Sequence, residues 1–133
     1  MEVRDGMSEI VLTIGPAHTL RDAAMSMAEK GVGAAIVLDG SLPCPAIISE
    51  RDLLNAIGSG EDPDAETVGD HMRIVEMSAT PDWSLERAAA EMAQRSIGHL
   101  LVVEGGDPIG MLSMRDIMRV WSGEGATSSA TPQ

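Results

Sequence analysis

Two tetrads in this chain set a hydroxyl, a cation and a carboxylate at one spacing: Ser49-Glu50-Arg51-Asp52 and Ser113-Met114-Arg115-Asp116. Serine followed three positions later by aspartate is a helix-capping pattern, worth about 0.5–2 kcal/mol. The same residues can also meet a ligand. A helix start directs unpaired amides and the positive end of its dipole at an anion. There serine can donate its hydroxyl to a phosphate, and aspartate can accept two hydrogen bonds from a ribose diol. The arginine supplies countercharge, and capping does not call for it. Gly110, three residues before Ser113, lets a ligand approach the backbone closely. Capping and ligand contact both remain open on the residues alone.

The elements that position these tetrads are themselves written twice. A shift of 65 residues carries Pro16 onto Pro81, Thr19-Leu20 onto Ser84-Leu85, Ala23-Ala24 onto Ala88-Ala89 and Met27 onto Met92. It also carries Gly33 onto Gly98, Ile36-Val37 onto Leu101-Val102, and Val3, Asp5 and Met7 onto Val68, Asp70 and Met72. Two copies are too few for a solenoid. They suggest half-domains related by a pseudo-twofold axis, with a matched pair of clefts.

Each copy is predicted to run strand, helix, strand, strand, helix. An extended piece (Ile10 to Ile14; Ile74 to Met77) leads to Pro16 or Pro81. Thr19 caps a helix, with Asp22 as a short-armed partner in a capping box. Leu20, Ala23, Ala24, Met27 and Ala28 form its apolar stripe, and Gly31 stops it. In the second copy the cap is Ser84 and the stripe is Leu85, Ala88, Ala89 and Met92. Unalternating runs, Ala35 to Leu38 and Leu100 to Val103, predict strands buried on both faces. Return strands follow at Ala46 to Ile48 and Ile109 to Leu112, then helices from Arg51 to Ile57 and Arg115 to Trp121. The fold class is α+β, with repeats at 3–57 and 68–121, an acidic linker at 58–67, and a tail at 122–133 whose composition predicts disorder.

Bulk properties narrow the function. The chain has 133 residues, no Phe or Tyr, two Trp and ten Met, so its core must be aliphatic and Met-rich. Net charge is −12, from twenty-one acids against nine bases. Glu61, Asp62, Asp64, Glu66 and Asp70 fall in one stretch without a base, expected as a solvated connector. An acidic surface repels phosphate backbones, so direct nucleic-acid binding is not expected. No apolar run could span a membrane, and Met1-Glu2-Val3-Arg4-Asp5 does not resemble an export leader. The lone Cys44 forms no internal disulfide, which fits the reducing cytoplasm. His18, His71 and His99 are scattered, with no Cys or His at metal-ligand spacing, so no metal site is expected. No phosphate loop, acid–base pair or activated nucleophile is visible, so no catalytic residue is assigned.

The doubled pattern resembles a tandem pair of cystathionine-β-synthase-type (CBS) domains, also called a Bateman module, across residues 3 to 121. The carriers are Val68-Gly69-Asp70-His71-Met72, Ser84-Leu85 with its Ala-Met helix, and Ile97-Gly98-His99-Leu100-Leu101-Val102-Val103. Above all, Gly110-Met111-Leu112-Ser113-Met114-Arg115-Asp116 matches the family's glycine–x–x–Ser/Thr–x–x–Asp motif. Small stand-alone bacterial members, including those linked to hypoxia or dormancy in actinobacteria, look similar.

That resemblance implies two pseudo-symmetric βαββα repeats and a non-catalytic regulatory module. It implies clefts between repeats for an adenosine-containing ligand (AMP, ADP, ATP or S-adenosylmethionine), with no cofactor required. The implied main site is Gly110, Ser113, Arg115, Asp116, Thr13, Ile14 and His99, with Asp116 on the ribose and Ser113 on phosphate. The implied second site is Ser49, Arg51, Asp52, Ser78 and Ala79. It departs from the pattern, because Ala46 replaces the motif glycine and Gly33-Ala34 replace a basic residue. Partners implied are a second copy, forming a four-repeat disc, and a protein target. The alternative is a ligand-free scaffold for protein–protein interaction.

Overall fold

A computed structural model describes residues 1–9 and 12–129, with side chains as far as Gly123. In chain order the elements are α1 (Val3–Gly6), β1 (Ser8–Glu9), β2 (Thr13–Ile14), α2 (Leu20–Lys30), β3 (Ala34–Val37), β4 (Ala46–Ser49) and α3 (Glu50–Gly58). The second copy follows as α4 (Val68–His71), β5 (Arg73–Ile74), β6 (Ser78–Ala79), α5 (Leu85–Arg95), β7 (His99–Glu104), β8 (Asp107–Ser113) and α6 (Met114–Ser129). The duplication is thus real in structure, with α1, β1, β2 and α2 recurring 65 residues later as α4, β5, β6 and α5.

The repeats of sequence are not the units of packing. One compact unit is Val11–Glu76; the other joins Met77–Gln133 to Met1–Ile10. In the first unit the strand order is β2-β3-β4-β5, with β2 parallel to β3 and the other pairs antiparallel. In the second it is β1-β8-β7-β6, with β6 parallel to β7. Each copy's leading helix and edge strand therefore complete the sheet built by the other copy. The expected βαββα series omitted these pieces, because four-residue helices and two-residue strands are too short to show a period. Ile10 and Val11, in the expected leading strand, lie outside the described residues, and Ile74 belongs to edge strand β5.

Backbone bonds record the exchange twice. Val3 N–H donates to Trp83 O and Val68 N–H to His18 O, both at 2.8 Å. Leu85 N–H donates to Met1 O and Leu20 N–H to Glu66 O, both at 3.0 Å. These last bonds satisfy amides at the starts of α5 and α2, which would otherwise lack partners. The 58–67 stretch is therefore more than a solvated connector. Pro63 O also accepts the Arg21 N–H, and Asp64 ion-pairs with Arg21 through Arg21 Nη2 at 3.0 Å.

Thr19 caps α2 in the expected box with Asp22, and Gly31 closes it at φ 66. Ser96 takes the matching left-handed position after α5 at φ 55. Leu20, Ala23 and Met27 are buried, as are Leu85, Ala88 and Met92. Ala24 and Ala28 correct the expected stripe: both are exposed, because α2 presses only a narrow face onto its sheet. The strands supply the rest of each core: Val37 and Ile48 in one unit, Leu100, Val102 and Leu112 in the other. Burying each such aliphatic side chain contributes about 1.5–3 kcal/mol.

Composition predicts disorder over 122–133, but α6 continues to Ser129. Once a helix has nucleated, each added residue gains a hydrogen bond at little further cost. Residues 130–133 lie outside the described residues.

Candidate functional site

Both tetrads sit where a return strand becomes a helix. Ser49 ends β4 and is the N-cap of α3; Ser113 ends β8 and precedes α6. The Asp52 Oδ2 accepts the Ser49 N–H at 2.7 Å and the Ser49 hydroxyl at 3.0 Å. Asp116 Oδ2 accepts the Ser113 N–H at 2.8 Å, while the Asp116 N–H donates to Ser113 Oγ at 3.0 Å. Capping is therefore realised in both copies. Backbone carbonyls take further amides that an anion would use: Glu50 N–H donates to Gly33 O and Met114 N–H to Gly98 O, both at 2.9 Å.

The second carboxylate oxygen tells a different story. Asp116 Oδ1 meets Arg119 Nη2 at 2.8 Å, and Asp52 Oδ1 meets Arg73 Nε at 3.2 Å. These arginines occupy unrelated repeat positions, one on the next turn of α6 and one on edge strand β5. Sequence reasoning missed both. Arg119 was open to discovery, since residues three apart on a helix are neighbours. Arg73 was not, because β5 reaches β4 only through the exchange of leading segments. Each aspartate is about 15% exposed at its side chain, and each arginine at least half exposed. A dissolved ligand can therefore compete for the outer oxygen.

The remaining expected residues divide between the two units. His99 stands directly opposite Ser113 in the β7–β8 register, half-buried. Directly opposed residues share a sheet face, so His99 belongs beside the Ser113–Asp116 corner. Ser78 and Ala79 lie on β6 of that same unit; Ser78 is half-buried and Ala79 fully buried. Thr13 and Ile14 lie on β2 of the other unit, with Ser49, Arg51 and Asp52. Thr13 is exposed, whereas the Ile14 side chain packs in that unit's core. Arg51 and Arg115 are exposed on the first turns of α3 and α6.

Gly110 has a packing explanation. It pairs with Glu9 in the β1–β8 ladder, and a Cβ there would lie 2.6 Å from Ser8 O and 3.1 Å from Met7 Sδ. The glycine thus admits the leading segment. Ala46, at the equivalent place, is fully buried opposite Ile74. Beside Asp52, an open hollow of about 220 Å³ is lined by Asp52, Asn55, Ala56, Ser59, Glu61 and His71.

The doubled strand-to-helix corners and the exchanged edges define a two-repeat α+β fold. Residues 2–59 and 68–123 each match the CBS domain model, and the chain belongs to the CBS domain family. It is 30% identical over 131 residues to the CBS domain-containing protein YhcV of Bacillus subtilis, covering 97% of this chain and 92% of that one. It is also 30% identical over 120 residues to the arabinose 5-phosphate isomerase KdsD of Pseudomonas aeruginosa, spanning 90% of this chain but 36% of that enzyme. Among solved structures it is similar to a CBS domain protein of Pyrobaculum aerophilum complexed with AMP. That match has TM-score 0.76 and 26% identity, and covers 87% of this chain and 89% of that one. Among the described residues no helix is long and apolar enough to cross a membrane.

Proposed function

We propose that this CBS pair is a non-catalytic regulatory module that takes an adenosine-containing ligand, with its principal contacts at the Ser113–Asp116 corner. The carrying observation is the division of labour on the Asp116 carboxylate. Oδ2 holds the helix cap, and Oδ1 faces an exposed arginine that a ribose diol can displace. Arg119, once released, can join Arg115, one turn back on α6, and His99, opposite Ser113 in the β7–β8 register, as a partner for phosphate. The AMP complex of the Pyrobaculum relative supports this ligand class. S-adenosylmethionine lacks phosphate, so its methionine carboxylate would take the cationic contacts beside the diol. Asp52 with Ser49 forms a second corner of the same kind in the other unit. A bound ligand acts by its differential affinity for two arrangements of the module, which a protein target reads.

Calorimetric titration of the full chain with AMP, ADP, ATP and S-adenosylmethionine tests the proposal. Micromolar to millimolar binding of at least one, weakened in Asp116→Asn, supports it. No heat from any of them at millimolar concentration overturns it.

A ligand-free scaffold is the second reading, favoured by carboxylates whose oxygens already have partners. The exposed apolar residues Leu54 and Ile57 on α3, and Met118 and Trp121 on α6, serve either reading. They occupy equivalent positions in the two copies and suit association with a second copy.

A further inference from the structure

The acidic stretch after α3 is left unused by the nucleotide corners. We propose that Glu61, Glu66 and His71 bind a divalent transition-metal cation of the zinc or manganese class. Each offers one ligand atom, and these atoms all lie within 4.8 Å of one another. His71 Nε2 is 2.9 Å from Glu66 Oε1. About a metal with bonds of roughly 2.0–2.2 Å, ligands at right angles stand about 2.8–3.1 Å apart and tetrahedral ones about 3.3–3.6 Å, so this hydrogen-bonded pair needs to open only slightly to admit a tetrahedral ion.

Backbone bonds within the Val11–Glu76 unit hold all three donors. Glu61 N–H donates to Ala56 O at 3.0 Å, which folds the chain back across the end of α3. Glu66 N–H donates to Asp62 O at 2.9 Å, and its carbonyl caps α2. His71 closes α4, which is anchored where Val68 N–H meets His18 O. Glu61 and His71 also line the hollow with Asp52, Asn55 and Ser59, which leaves room for water to complete the coordination beside the second corner.

Charge favours a cation here. The stretch from Glu61 to Asp70 carries five acids and no base. Arg21 neutralises Asp64, but among the described residues no arginine or lysine pairs with Glu61 or Glu66. One imidazole and two carboxylates without a thiolate suit zinc, manganese or cobalt. Calcium, which wants six to eight oxygens, fits them less well. A search for His or Cys spacing misses this set, because its two carboxylates lie in the acidic stretch expected to be mere connector.

The test uses the full chain freed of metal with EDTA and titrated with zinc, manganese or magnesium chloride. Readouts are calorimetry, thermal melting and the visible absorption of added cobalt. One equivalent of zinc should bind and raise the melting temperature. Glu61→Gln and His71→Asn should each weaken binding at least about tenfold, since even losing a group that only supports a metal ligand costs that much. His18→Gln and Asp116→Asn should bind as the parent does, and the latter separates this site from the nucleotide corner. If His71→Asn does not fold, Glu61→Gln decides, because Glu61 is exposed. No binding, or Glu61→Gln binding as tightly as the parent, overturns the proposal.

Discussion

Asp116 and Ser113 hold each other by two reciprocal bonds: Ser113 N–H to Asp116 Oδ2, and Asp116 N–H to Ser113 Oγ. The helix cap and the proposed ligand corner thus share one carboxylate. Replacing Asp116 with Asn keeps an oxygen for the cap but removes the charge that faces Arg119. Stability should change by less than about 1 kcal/mol, within the range of a cap, while ligand-induced thermal stabilisation disappears. Paired melts with and without AMP check both effects. Asp116→Ala should add the cap loss of about 0.5–2 kcal/mol.

Gly110→Ala should destabilise the chain by about 1–3 kcal/mol, since its Cβ would fall against backbone rather than a side chain that can move. Urea unfolding measures the loss. Faster hydrogen exchange at Ser8 and Glu9 would locate it in β1. Ala46→Gly should cost less, leaving only a small void opposite Ile74.

Burial separates the methionines. Met92 is 0% exposed, and Met92→Ala should cost about 2–5 kcal/mol. Met118 is 62% exposed, and Met118→Ala should leave monomer stability within about 0.5 kcal/mol. If α6 meets a second copy, Met118→Ala combined with Trp121→Ala shifts sedimentation toward the monomer; unchanged sedimentation removes this face from any dimer.

Acid should weaken the fold modestly through specific surface carboxylates. Hydrogen bonding from the Thr19 backbone N–H, then from His18, holds Asp22 below the usual carboxylate range. Hydrogen bonding to Arg21 does the same for Asp64. A carboxylate depressed on folding stabilises above its unfolded pKa, near about 3.9, and loses that contribution as pH falls through its folded value. Melting temperature should therefore drop on acidification below about pH 4, and Asp64→Asn should make that limb shallower.

Much of this architecture was legible because duplication doubles each signal. Thr19 with Asp22, Gly31, and the Leu20/Leu85 and Met27/Met92 pairs marked the first helix of each copy, and the apolar runs marked its buried strands, except that Leu38 falls beyond β3 and is exposed. The tetrads were visible, as was the capping that both copies realise. The exchange of edge strands was not, because a pair such as Ser8 with Met111 joins residues a hundred positions apart and leaves no local period. Arg73 on Asp52 was hidden for the same reason. The packing role of Gly110 was hidden on the same account: its neighbour is Ser8, which sequence places far away.

The traded edges have a mechanical consequence. A protease cutting between the copies would release no free half, since each fragment still supplies the border strand of the other's sheet. Nicked molecules should travel as one particle until denaturant separates them, and each fragment expressed alone would present an unfinished, adhesive margin.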